Sequence, residues 1–170
     1  MSRSLILVSL LFNVFWALCV IGQERALWIT LPALCVHSFL RAKSLPTVLG
    51  IMVLGITMDS LLIWQGVFVF ATPWMPLWLG ALWAGFGIFF WYLLPVISRF
   101  PAWQFVPVMA VAATGSYYAG FALEAVSLPL SLPSTLAVVF GCWCVFCTML
   151  HWWSSFAAPD YISESKAHMD

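Results

Sequence analysis

Six apolar stretches, separated by short polar or proline-containing turns, account for most of the chain: about residues 4–22, 26–40, 46–70, 77–98, 103–126 and 134–156, followed by a polar tail over 157–170. None shows the alternation of a barrel strand, and most approach the roughly 20 residues that a helix needs to cross a bilayer. The pattern predicts an all-α membrane protein, a compact bundle of six transmembrane helices forming one domain over 1–156. The second stretch is the shortest. Its 15 residues would cover only ~22 Å, so it must stand upright or extend into its flanks. Gln23, Glu24 and Arg25 make a tight polar turn before it, Pro46 suits the first turn of the third helix, and Pro95 should kink or end the fourth.

Six crossings put both termini on one side and sort the basic residues. Arg3, Arg41, Lys43, Arg99 and Lys166 fall with the termini, and Arg25 falls opposite. The positive-inside rule then places the termini in the cytoplasm, so the chain reads as a multi-pass protein of a bacterial inner membrane. No internal repeat is evident.

Composition narrows the partners. The chain is 64% hydrophobic and 7% charged, with 11 Trp, and its formal net charge is zero. No Lys/Arg cluster could neutralise a nucleic-acid backbone, so nucleic acid is not an expected partner. All five cysteines lie in apolar stretches. Cys144 and Cys147 have redox-motif spacing, but an apolar helix disfavours the thiolate and small filler is the plainer reading. His37 and His151 close two helix ends without completing a ligand set, and neither a metal nor any other cofactor is expected. Trp28, Trp74 and Trp78 near one surface, with Trp91, Trp103, Trp152 and Trp153 near the other, fit aromatic belts.

One carboxylate stands apart. Asp59 lies inside the third stretch, where an ionised acid costs at least ~2.5 to 3.5 kcal/mol and is normally turned inward, protonated or paired. Met52, Gly55, Asp59, Leu62 and Gly66 would share one helical stripe, its glycines admitting a neighbouring helix. In the fifth stretch Ala113, Tyr117, Gly120 and Glu124 recur at the same spacing. If the two helices touch, Asp59, Tyr117 and Glu124 would line a pocket opening outward, and these are the candidate catalytic residues. Asn13, Trp64, Trp83 and Tyr118 are the candidate binding residues: Asn13 as an amide buried in the first helix, the tryptophans as walls of an apolar pocket. The competing reading is that Tyr117 donates to Asp59 and the pair merely locks two helices.

Gly55-Ile-Thr-Met-Asp59-Ser60-Leu61-Leu62, Pro76-Leu-Trp78 with Leu82-Trp83, and Tyr118-Ala-Gly120 with Ala125-Val126 together resemble a family of small proteobacterial inner-membrane proteins known only as a domain of unknown function. The resemblance covers nearly the whole chain. It implies membrane lipid as a plausible substrate and supplies no established activity.

Three classes of function follow. The leading expectation is binding or modification of a membrane lipid or other apolar small molecule, with Asp59 as acid or polarising group. A small proton-coupled transporter and a non-catalytic assembly subunit are the alternatives.

Overall fold

The computed structural model describes the backbone of residues 3–167 and the side chains of residues 5–156. Five helices follow one another: α1 (Arg3–Leu40), α2 (Leu45–Trp64), α3 (Leu77–Ile97), α4 (Ala102–Ala122) and α5 (Leu132–Ala167), with a single 3-10 turn at Ala42–Ser44 between the first two. All five are long and apolar enough to span a membrane. The expected count of six is therefore corrected to five. The two shortest expected spans, 4–22 and 26–40, are joined in one element.

That element is broken where the polar turn was expected. Gln23 has φ 46° and ψ −132°, far from helical values. A Cβ placed on Gly22 would lie 2.7 Å from that of Ala26, whereas such atoms stand about 5–6 Å apart in a regular helix. Contacts on both sides of the break fall on α3. Before it, Phe15 packs on Gly85 and Phe12 stacks on Phe89. Beyond it, His37 Nε2 lies 3.3 Å from Tyr92 Oη. Between them, Glu24 accepts a hydrogen bond from the Leu77 amide, the first of α3, at 3.1 Å. α1 is thus folded back at Gln23, with both arms lying along α3.

The chain forms two compact units: Met1–Tyr92 with Ala119–Leu132, and Leu93–Tyr118 with Pro133–Asp170. In the first, α2 and α3 run antiparallel, because Val48 meets Gly87 while Gly55 meets Trp83. In the second, α4 and α5 run antiparallel, because Phe105 meets His151 while Tyr117 meets Trp143. Hydroxyls within the helices return to their own backbone: Thr30, Thr57, Thr114 and Thr148 each donate to the carbonyl four residues earlier. This keeps them satisfied in a medium without water.

Two helices stop short of their expected ends, and for the same reason. α2 ends at Trp64 rather than near 70, with Gly66 at φ 71°. Gly66 N–H donates to the Ile63 carbonyl and Val67 N–H to that of Leu62, the paired bonds of a Schellman cap. α4 ends at Ala122 rather than near 126, with Glu124 at φ 60°, and the same two bonds run from Glu124 to Phe121 and from Ala125 to Gly120. Three residues beyond each left-handed residue, Val69 and Ser127 exchange both amide bonds, at 2.9 and 2.8 Å, in an antiparallel bridge. The geometry repeats here although the residues do not. At its far end, α5 continues to Ala167 through most of the expected tail, and residues 168–170 lie outside the described residues.

The caps predict opposite responses. A Cβ on Gly66 would meet nothing within 4 Å, so Gly66→Ala should cost only the backbone strain of a left-handed alanine, about 1 kcal/mol. Glu124→Gly should stabilise by up to about the same amount. Equilibrium unfolding of both variants in one detergent checks the pair.

Candidate functional site

The buried stripe of α2 comprises Thr47, Val48, Ile51, Gly55, Asp59 and Leu62. Gly55, Asp59 and Leu62 are as expected, while Ile51 takes the place expected for Met52. Asp59 is wholly buried, with 0% exposure. Trp83 of α3 donates its indole Nε1–H to Asp59 Oδ2 at 2.7 Å. The same indole lies across Gly55, one helical turn earlier, with its six-membered ring in the space a Cβ would need. Ring position and hydrogen bond are therefore one arrangement: the missing side chain at 55 brings the N–H within reach of 59.

Phe86 stands edge-on to the indole, with ring centroids 5.7 Å apart at 90°. Phe12 of α1 touches Phe86 at 5.9 Å and stacks on Phe89 at 4.6 Å, nearly parallel. Phe86 is buried, whereas Phe12 and Phe89 are partly exposed on the outside of the unit. An aromatic series thus leads from the surface to the acid. The donor is neutral, so the bond serves the carboxyl whether or not it carries a proton.

Asp59 also lies nearer the end of its helix than the expected span over 46–70 would place it. Because α2 ends at Trp64, the acid is five residues, or ~7.5 Å, from the capped end. Tyr117 lies five residues before Ala122, at the matching place in α4. Its ring stands edge-on to Trp143 in the second unit, with centroids 6.4 Å apart.

The remaining candidates are placed as follows. Asp59 and Trp83 are brought into direct contact. Glu124 is not on the α4 stripe, because it sits beyond the helix end in the left-handed cap position and is exposed. Asn13, expected to be buried, is exposed and donates its amide to the Ser9 carbonyl at 2.8 Å rather than across to another helix. Trp64 is 79% exposed and Tyr118 48%. Trp64 is the last residue of α2. Trp78, assigned to a belt, is instead buried against Phe70 at 5.8 Å.

Phe12, Phe86 and Phe89 were not anticipated. Nothing but their ring type marks them in so aromatic a chain. The Trp83–Asp59 contact had a usable signal: a buried indole N–H needs an acceptor. His37 lies at the end of α1 near Tyr92, whereas His151, expected at a helix end, sits within α5 and donates Nε2–H to the Phe100 carbonyl at 2.8 Å. Among the described residues, no three His, Cys, Asp or Glu side chains converge as a metal site.

Five helices, each long and apolar enough to cross a membrane, mark the chain by length and composition as a multi-pass α-helical membrane protein. A family model described as "Protein of unknown function (DUF2878)" matches residues 5–149, and the chain belongs to that family. No curated protein and no solved structure matches it.

Adding a methyl at Gly55 must move the indole off Asp59. Gly55→Ala should destabilise by about 1–3 kcal/mol through overpacking. Gly80→Ala, where a Cβ meets nothing within 4 Å, should be neutral or slightly stabilising. Thermal unfolding of the two variants side by side tests this.

Proposed function

We propose that this protein binds or modifies a lipid, or another apolar small molecule, at Asp59 from within a bacterial inner membrane. The observation that carries the reading is an acid held by a neutral indole at the head of an aromatic series that reaches the unit's outer surface. An apolar chain could enter along Phe89, Phe12 and Phe86, and a polar head could exchange with the indole for the carboxyl. Asp59 would supply the proton or the polarising hydrogen bond, and Trp83 would position it. Glu124 lies on the exposed loop at the same end of the unit. The reading needs the first unit alone.

A second reading has its own support. Complete burial of Asp59 and a short bond to Trp83 are also what a structural lock between α2 and α3 would show. In that case the protein is a non-catalytic membrane subunit.

Asp59→Asn separates the two. The asparagine keeps an oxygen to accept the indole N–H but loses the acid. Membrane lipids should be compared among the gene deletion, the deletion restored with wild type, and the deletion restored with Asp59→Asn at matched folded yield. A lipid that changes in the deletion, and is restored by wild type alone, is the expected outcome. Lipids unchanged in every strain, with a copurifying protein lost from the deletion, would select the lock.

For topology we infer that α1 crosses twice. The fold-back at Gln23 supports six crossings by five helices, and with six crossings the five-to-one distribution of basic residues favours both termini in the cytoplasm. Reporter fusions at the N-terminus, after Lys43 and after Arg99 should read cytoplasm, and one after Thr72 periplasm. An N-terminal reporter opposite to that after Lys43 would mean a single crossing.

A further inference from the structure

We propose that two copies of this chain associate through the first arm of α1, with Asn13 paired to Asn13 across a two-fold axis normal to the membrane. The proposal rests on the reading that this arm crosses the bilayer. Asn13 is ten residues from Arg3 and ten from Gln23, hence ~15 Å from either end of the arm and at the middle of the hydrocarbon. It is exposed there. A primary amide offers two N–H donors and an oxygen acceptor, and its one hydrogen bond among the described residues uses a single N–H, to Ser9 O. Serine and threonine in these helices can satisfy themselves on their own backbone, whereas the amide retains a donor and an acceptor facing lipid tails. At that depth neither water nor a head group reaches it, so the fitting partner is a polar side chain on another transmembrane helix.

A second copy meets that requirement without further assumption. Copies inserted in the same direction place each residue at the depth of its mate, and an isologous two-fold contact brings equivalent residues together. The amide is self-complementary: the N–H of each copy can donate to the oxygen of the other. Its neighbours allow the approach. Ile6, Leu10, Asn13 and Ala17 follow the four-three-four spacing of a left-handed helix pair, with Asn13 inside the seam. Ile6 and Leu10 are 45% and 60% exposed, so both are available to a partner. A lone asparagine within such a seam fixes the register and the number of helices.

The test is single-molecule photobleaching of the full chain, carrying one C-terminal fluorescent protein, reconstituted at high lipid dilution. Wild type should bleach in two steps. Asn13→Leu should shift the population toward one step, with a dimer about 3- to 30-fold weaker. Asn13→Gln, which keeps an amide, should retain two steps. Because position 13 faces outward, thermal unfolding of the leucine variant should match wild type. Should that variant fold poorly, Leu10→Trp replaces it, at a seam position exposed in the single chain, and should likewise give one step. Single-step or more-than-two-step bleaching of wild type overturns the proposal. So does persistence of two steps in a well-folded Asn13→Leu. The reporter fusions read the crossing of the arm separately, so failure there is distinguishable from failure to pair.

Discussion

The first unit depends on one indole. Trp83 has to satisfy its own N–H, cover a carboxyl and fit between two helices, and it does all three because position 55 has no side chain. A glycine within a helix costs about 1 kcal/mol relative to alanine. The hydrogen bond returns about 1–3 kcal/mol by sparing two buried polar groups, and the ring's burial adds to it. The rest of α3 follows the same pattern. Gly85 receives Phe15 of α1, and Gly87 lies against the backbone of α2 at Val48. Both neighbours are seated where α3 lacks a side chain, so within the first unit α1 and α2 are fitted to α3.

How much of this was legible depended on whether a residue's own chemistry demanded a partner. Asp59 did, and it was found, together with the glycine that admits the neighbouring helix. Trp83 was expected as a wall of an apolar pocket, and Tyr117 rather than its indole N–H was matched to the acid. Asn13 was expected to be buried, yet it lies exposed and turns its amide back to the Ser9 carbonyl. The outward positions of Trp64 and Tyr118 could not be read, since with no charge on most turns every face of these helices is apolar and periodicity has no contrast to work on.

Helix ends were misjudged for a different reason. Apolar runs continue past Trp64 and past Ala122, so hydropathy places the boundaries too late. The backbone ends each helix by a left-handed residue. Gly66 announces this possibility, whereas Glu124 conceals it, because an acidic residue is seldom found there. Its strain is compensated by the cap's two bonds and by the bridge from Ser127 to Val69, which joins the ends of α2 and α4. This also explains why the repeat is invisible in the sequence: it resides in dihedral angles and amide bonds, which different residues can supply. It places Asp59 and Tyr117 at matching positions, each seven residues before its left-handed residue, although one is an acid and the other a phenol.

On the proposed topology, the count of helices and the count of membrane crossings separate at α1. A straight helix of 38 residues would be ~57 Å long, nearly twice the ~30 Å of hydrocarbon in a bilayer. One crossing would leave some 27 Å of apolar helix outside, carrying residues such as Trp28, Ile29 and Phe39 that are exposed even in the folded chain. Folding back at Gln23 removes that cost for the strain of a single residue, about 1–3 kcal/mol. It also brings Glu24 to the first amide of α3, where a carboxylate is favoured by the unpaired N–H groups of a helix start. The polar Gln23-Glu24-Arg25 turn therefore breaks α1 into two arms: the chain reverses at Gln23, where the backbone is not helical, and both arms lie along α3.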